Sequence, residues 1–255
     1  MDIEERQERI AQLVQANKRV KALALSRQFD VSVETIRKDL LDLQERGVLD
    51  RVHGGAQARA VKEESAYERR RAVNNEAKAA IARAAVELIA DGATIYLDYG
   101  TTTYAIAAEL VRQQRRVTVV TPTMPIANVL AEGAEIDTVV LGGIMRRNER
   151  SLFGPLAERA LDGIFMDIGF FGCAGLHPVA GVTNHHALES ATSSKAMEHC
   201  TTVVLVADAD KLDTIAVNRI TELDAIDVVV TDGAPSPELS AALDGADVTI
   251  TTTKE

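Results

Sequence analysis

Apolar residues recur at helical spacing through the first forty-odd positions, then give way to short β-branched runs separated by helical stretches. Ile3, Ile10, Leu13 and Val14 predict an opening helix over about residues 3–16, broken at Asn17-Lys18. Leu23, Leu25 and Phe29 predict a second helix from Val20 to Phe29, with Asp30-Val31 as a turn. Ser32 then offers a hydroxyl to the orphan amides of a third helix. Val33, Ile36, Leu40 and Leu43 mark the buried face of that helix, and Gly47 is its natural stop. Val48 to Val52 predicts a strand and His53-Gly54-Gly55 a tight turn. These elements predict a compact unit over residues 1–57, followed by a charged linker over 58–74 and a larger domain over 75–255.

In the larger stretch helices and strands alternate. Strands are predicted at Thr94–Asp98, Val117–Thr121, Asp137–Leu141, Asp167–Phe171, Thr202–Ala207, Val228–Thr231 and Val248–Thr251. Helices are predicted at Glu76–Ala90, after Thr102, from Pro125, at Pro155–Leu161, around Leu188–Glu198 and at Glu238–Leu243. Apolar β-branched strands between helices indicate an α/β fold, a parallel sheet covered on both faces.

Composition narrows the class. No apolar run approaches the roughly 20 residues of a membrane span, and the charged start MDIEERQERI lacks the apolar core of a secretory signal. Cys173 and Cys200 lack ligand spacing and fit a reducing compartment, so a cytoplasmic location is expected. The net charge of −10 is unevenly placed. Residues 1–60 carry 11 Lys and Arg against 10 Asp and Glu, leaving an acidic remainder. A near-neutral head can bind DNA if its cations share one face, with the acidic body repelling phosphates and helping to orient it.

The third helix supplies such a face. Glu34, Thr35, Arg37 and Lys38 fall off its buried stripe, and Arg51 and His53 lie on the ribbon after it. A helix start of this kind with a ribbon behind it suits a DNA groove, although the same spacing also describes an ordinary solvated helix. The stretch VSVETIRKDLLDLQERGVLDRVHGGA, residues 31–56, resembles the winged helix-turn-helix of the DeoR family of bacterial transcription regulators. The resemblance implies DNA contacts from Ser32, Glu34, Thr35, Arg37, Lys38, Arg51 and His53. Lys38 departs from the family's usual arginine, which keeps a phosphate contact but loses the bidentate fork that reads guanine. The Arg69–Arg71 run reads either as a DNA-backbone contact or as a solvated linker or inter-domain contact.

Ligands of open α/β sheets bind beyond the carboxyl ends of the strands. After Leu97 come Asp98, Tyr99, Gly100, Thr101, Thr102 and Thr103, then a helix: a plausible phosphate cradle of close backbone, hydroxyls and free amides. It is neither a Walker loop nor GxGxxG, so no nucleotide cofactor is expected. Threonines that simply cap the helix are the plain alternative. Gly142-Gly143, with Arg146 and Arg147 behind them, Gly172 to Gly175, and Asp208 to Lys211 come after other strands, and helix starts are expected to bring Lys78 near Asp98–Thr103 and Glu189 near Lys211. Together these suit a small polyhydroxylated ligand bearing a phosphate. LDYGTTT, the Gly142-Gly143 pair, DIGFFGCAG and ADADK resemble the family's sensor half, which is similar in fold to ribose-5-phosphate isomerase and implies a sugar-phosphate effector. Tyr99, where the family often has a small residue, is expected to narrow the pocket. His177, His185, His186 and His199 make a metal conceivable, with Glu189 or Asp98 completing it, but no ligand spacing is present and no metal is expected.

The expected function is a DNA-binding transcription repressor of sugar-metabolism genes, homo-oligomeric, with operator DNA and a phosphorylated sugar as partners, no cofactor and no membrane. The alternative is an isomerase-like enzyme with Glu189 as base and Lys211 as its electrostatic partner. Against it, Phe171–Gly175 lacks the isomerase's paired acidic motif.

Overall fold

The computed structural model describes residues 2–17, 19–46, 48–58 and 67–253. The chain divides into two compact units, 1–61 and 62–255. The stop expected at Gly47 and residues 59–66 of the expected linker lie outside the described residues.

The first unit runs α1 (Ile3–Asn17), β1 (Arg19–Lys21), α2 (Ala22–Phe29), α3 (Val33–Glu45), β2 (Leu49–Val52) and β3 (Gly55–Ala58). Its core joins Ile10 and Val14 of α1 to Ala22 and Leu25 of α2, Ile36, Leu40 and Leu43 of α3, and Leu49 and Ala56 of the ribbon. The second helix is shorter than expected, because Arg19–Lys21 pairs antiparallel with Gly55–Gln57 and completes a sheet of order β1-β3-β2. An added Cβ at Gly55 would sit 2.0 Å from the Val20 carbonyl oxygen, so glycine is what lets β1 cross the ribbon. Leu23, an expected core residue of the second helix, is exposed, as is Ile3 at the start of α1. The periodicity that picked them was carried by one face only, and their neighbours Leu25 and Ile10 fill the interior.

The second unit runs α4 (Tyr67–Ala72), α5 (Asn75–Glu87), β4 (Thr94–Leu97), α6 (Thr101–Arg112), β5 (Val117–Thr121), α7 (Met124–Leu130), β6 (Ile136–Val140), β7 (Ile144–Arg146), β8 (Ser151–Phe153), α8 (Pro155–Leu161), β9 (Met166–Gly172), β10 (Gly175–His177), β11 (Gly181–Asn184), α9 (Ala187–Met197), β12 (Cys200–Ala207), β13 (Asn218–Thr221), β14 (Val228–Thr231), α10 (Pro237–Gly245) and β15 (Thr249–Thr252). Seven strands form a sheet of order β15-β14-β12-β9-β4-β5-β6, parallel at every pairing. Alternate residues feed opposite cores. Ile95, Val119, Phe170 and Val204 face one side with α5, α6 and α7, while Tyr96, Val120, Phe171 and Leu205 face the other with α8, α9 and α10. Strand order reverses at β4, whose two neighbours are β5 and β9. Such a switch point leaves a crevice at the strands' carboxyl ends.

A β7–β8 hairpin and a small β10-β11-β13 sheet were not anticipated, because their strands are three or four residues long and carry little periodicity. The helix α4 occupies the second half of the expected linker.

Candidate functional site

In the first unit α2 and α3 are joined by Asp30, whose φ of 50° is left-handed, and by Ser26, whose hydroxyl donates to the Val31 carbonyl at 2.6 Å. Ser32 caps α3: its oxygen accepts from the Thr35 amide at 3.0 Å and lies 2.8 Å from the Thr35 hydroxyl. Arg37 and Lys38 are exposed, and Arg37 donates to Glu34 at 3.0 Å along the same face. Arg51 is exposed on β2, with His53 and Gly54 at the ribbon's tip, where Gly54 has a φ of 81°. Arg19 and Lys21, exposed on β1, share a concavity with His53 and Gly54. These two cations were missed, because Val20 was read as the start of a helix rather than the middle of an alternating R-V-K strand. The face is held from beneath by Asp39, buried on α3, which accepts from Arg6 Nε at 2.7 Å and its terminal nitrogen at 3.1 Å.

In the second unit a cavity of about 230 Å³ opens at the switch point. It is smaller than the roughly 300–1,000 Å³ that drug-sized ligands occupy, so it suits a small solute. Tyr99 to Thr102 after β4, Gly172 to Ala174 at the end of β9, and Val206 to Asp208 with Asp210 and Lys211 at the end of β12 form its floor. Arg69, Arg70, Val73, Asn74 and Lys78 from α4, α5 and the link between them form its rim, and Asn184 and His185 close one side. Four cationic side chains thus face two carboxylates, Asp208 and Asp210. Gly100 takes a φ of 139° as N-cap of α6 and no side chain caps that helix. The threonines therefore do not serve as caps, and the first-turn amides keep their capacity for an anion.

Of the expected residues, Lys78, Gly100, Thr101, Thr102, Gly172 and Lys211 come together here. Five do not. Asp98 is buried behind the cavity and accepts from Ser193 Oγ at 2.8 Å, while its Oδ1 has no hydrogen-bond partner among the described residues. Burial pushes its carboxyl up to about 8. Thr103 is fully buried and donates to the Gly100 carbonyl at 3.2 Å. Gly142 and Gly143 serve the hairpin instead: a Cβ at Gly143 would lie 2.7 Å from the Phe153 carbonyl oxygen, and its φ is 146°. Glu189, expected beside Lys211, is buried against Arg146 at 2.6 Å and against the Ser151 hydroxyl. The hairpin β7–β8 brings those two partners over α9 and engages Glu189 away from Lys211. The isomerase alternative needs Glu189 and Lys211 together and finds only the lysine.

Lys78 is nearly inaccessible and donates to the carbonyls of Arg70 and Val73, each at 2.5 Å. Burial lowers its pKa, opposed by the charge of Asp208. Arg70 also pairs with the buried carboxylate of Glu149, and Arg71 stacks 4.3 Å from the centre of the Tyr104 ring. The Arg69–Arg71 run is thus attached to the second unit. Asn74, left-handed at φ 56°, donates to Asp210 at 3.0 Å. Asp208 is buried and lines the cavity, its Oδ1 without a partner among the described residues. Tyr99 lines the cavity, its hydroxyl accepting from Asn184 Nδ2 at 2.8 Å. Asn74 and Asn184 escaped the sequence reading; an asparagine pair before a helix was the signal for the first.

The histidines disperse. His177 Nδ1 accepts from the Val179 amide at 3.1 Å, His186 caps α9, and His199 lies 6.0 Å from Phe165. Among the described residues no three His, Cys, Asp or Glu side chains gather as a metal would need, and no described helix is long and apolar enough to cross a membrane. Cys173 and Cys200 are free thiols, each pushed up to about 12 by burial.

The comparisons with known proteins agree for both units. A DeoR-like helix-turn-helix domain matches residues 6–61 and a DeoR C-terminal sensor domain matches residues 73–233. The HTH-type transcriptional regulator GlpR of Haloferax volcanii is 33% identical over 96% of each chain. The L-fucose operon activator of Haemophilus influenzae is 30% identical over 89% of this chain and 91% of its own. The glycerol-3-phosphate regulon repressor of Escherichia coli is 29% identical over 89% of each. Among solved structures, ribose 5-phosphate isomerase A of Methanocaldococcus jannaschii aligns at a TM-score of 0.41 and 19% identity over 55% of each chain, too distant to bear on activity. With both domain matches in chain order and relatives matched over nine-tenths of its length, the chain belongs to the DeoR family of transcriptional regulators.

Proposed function

We propose that the chain is a repressor of sugar-metabolism genes that leaves its operator when a phosphorylated sugar fills the cavity at the ends of β4, β9 and β12. The observation that carries this reading is the uncapped start of α6, with Thr101 and Thr102, beside Arg69, Arg70, Lys78 and Lys211. Phosphate is the group that uses such amides, hydroxyls and cations together. Asp208, Asp210, Asn74 and Asn184 then meet hydroxyl groups at the other end. Relatives carry names of both signs, an activator and a repressor. Repression is proposed because the cavity's rim includes α4, the first described element after the DNA-binding unit, whose Arg70 is held through its guanidinium by Glu149 and through its carbonyl by Lys78. An anion competing for Arg70 and Lys78 would loosen that segment. On DNA, Arg37, Lys38, Arg51 and His53 are proposed contacts, with two copies reading two half-sites.

The test is a thermal-shift and operator-release panel of glycerol phosphate, pentose phosphates, hexose phosphates, their dephosphorylated forms and inorganic phosphate. A true effector at 100 times its Kd stabilises the protein by about 2.7 kcal/mol. Phosphorylated ligands should release operator DNA, and Lys211→Ala and Thr102→Val should require higher concentrations. Equal shifts from dephosphorylated sugars, or wild-type release in both variants, would remove the cavity from the mechanism. Tightened operator binding on ligand addition would reverse the proposed sign.

A further inference from the structure

The strand β1 gives the first unit a cationic surface separate from that of α3. Its three residues are Arg19, Val20 and Lys21, the two cations exposed and Val20 packed on the core. Alternate residues of a strand share a face. Arg19 and Lys21 therefore stand together opposite Val20, about 7 Å apart at roughly 3.3 Å per residue. The register fixes what lies beside each. Lys21 is opposite Gly55, which is opposite Val52, so no other charge shares its row. Arg19 is opposite Gln57, which is opposite Asp50, so an acid stands two strands away, roughly 10 Å at about 4.8 Å per strand. The ion pairs of this unit among the described residues are Arg6–Asp39, Arg9–Glu5 and Arg37–Glu34, and none takes up Arg19 or Lys21.

The Ala22 amide donates to the Gly54 carbonyl at 2.9 Å, which ties the end of β1 to the ribbon's tip. Arg19, Val20, Lys21, His53, Gly54 and Gly55 line an open concavity of about 430 Å³ there. That is the size of a small-molecule site, but such sites are lined mostly by apolar side chains. Here Val20 is the one apolar side chain, and the rest is cation, imidazole and glycine backbone. Gly54 leaves the tip open, since a Cβ there would meet nothing within 4 Å. Bare backbone beside two cations that no acid engages suits an extended polyanion, whose phosphates follow one another along a chain.

We propose that β1 grips the sugar–phosphate backbone of duplex DNA beside the ribbon's tip, with Lys21 as the principal contact and Arg19 as the second. The order follows from the two rows: Lys21 has no acid in its row, whereas Arg19 has Asp50 across the sheet. Backbone contacts fix position and carry no sequence information. The strand β1 therefore adds affinity and register, while α3 keeps the choice of bases. The proposal rests on the reading of the first unit as a DNA binder, and the test separates the two.

The full chain is titrated at several salt concentrations with a random-sequence duplex and with an operator that the wild-type protein selects from a random library. Wild type is compared with Lys21→Gln, Arg19→Gln, Lys21→Arg and the double variant Arg19→Gln, Lys21→Gln. The slope of log affinity against log salt loses about 0.9 for each phosphate contact removed. Lys21→Gln should lower it by about that much per bound copy, Arg19→Gln by less, and the double variant by more than either. Lys21→Arg should keep the wild-type slope. The preference for operator over random duplex and the melting transition should be unchanged in all four. Acetylation of lysines in wild type, read by mass spectrometry, needs no variant: Lys21 should be shielded when either duplex is bound. A double variant with wild-type melt and wild-type slope overturns the proposal, as does Lys21 acetylated equally in free and bound protein. Loss of operator preference overturns it too, because the residues would then read bases. A wild type that binds neither duplex overturns the DNA reading itself, and β1 with it.

Discussion

Removing the carboxylate of Asp39 should destabilise the DNA-binding unit while leaving the sensor unit intact. Asp39 and Arg6 are buried partners that join α3 to α1, with Gln7 Nε2 adding a contact at 3.3 Å to the same carboxylate. An arginine guanidinium does not deprotonate in proteins, so Arg6 stays charged in the variant. Deleting one partner of a buried pair strands the other and costs about 3–5 kcal/mol. The unit is small and water is close, so the lower end, about 3 kcal/mol, applies. A unit of this size has roughly 3–9 kcal/mol in all, from about 0.05–0.15 kcal/mol per residue. Asp39→Ala should therefore move its melting transition down by at least 10 °C, at about 4–8 °C per kcal/mol. Calorimetry should show the lower transition shift and the sensor's remain. The double replacement Arg6→Met, Asp39→Leu should regain most of the loss, since a packed apolar pair avoids the desolvation cost. Asp39→Ala with a wild-type melt and a lost operator complex would refute this: Asp39 would then be a recognition residue and the buried pair incidental.

Arg37→Ala should weaken operator binding by about 1–3 kcal/mol if it reads a base edge, while Lys38→Ala should weaken binding across sequences and lower the salt slope by about 1, both measured by titration at several salt concentrations. Neither should shift the melt, because the Arg37–Glu34 pair is exposed. Asp98 has its pKa raised to about 8 by burial, so the folded state binds a proton that the unfolded chain releases near pH 4. Its contribution is complete below that value and declines by up to about 1.4 kcal/mol per pH unit as pH rises toward 8. Asp98→Asn should flatten the fall in sensor stability between pH 5 and pH 8, and an unchanged slope in denaturant titrations would assign it elsewhere. Gly143→Ala should destabilise the sensor unit by about 1–3 kcal/mol through its left-handed backbone and the approach of Phe153, with no change in effector-induced shift.

The sheet was legible because its strands are short stretches rich in β-branched and apolar residues that alternate with helices. Val117–Thr121 and Val228–Thr231 match their expected limits for that reason. The cavity was legible where its lining comes directly after a strand, as at Gly100–Thr102, Gly172 and Lys211. It was illegible where a short element intervenes. Glu189 is turned away by β7–β8, and Asn184 is delivered by β11, neither of which has the length to show a period. Asp98 and Thr103 adjoin true lining residues in sequence, but a strand end alternates faces and the first turn of a helix rotates away. Adjacency alone cannot separate inward from outward there. The same holds for Asp39, which neighbours exposed Lys38 in the motif and faces the interior.

The uneven charge of the chain is explained by these placements. A protein of net charge −10 should repel both DNA and a phosphorylated ligand if its charges were spread uniformly. In the first unit two acidic groups are engaged with α1 instead: Asp39 holds Arg6, and Asp42 accepts from Gln7 at 3.1 Å. Arg37, Lys38, Arg51, Arg19 and Lys21 remain at the surface. In the second unit cations gather where the sheet's order reverses, and Glu149 and Glu189 are held in ion pairs with Arg70 and Arg146 rather than facing the cavity. Net charge is a sum over the whole surface, whereas an anion within a Debye length of about 8–10 Å responds to the groups beside it. The acidic exterior then limits nonspecific contact with DNA, and the cationic groups act only where an anion can come within that distance.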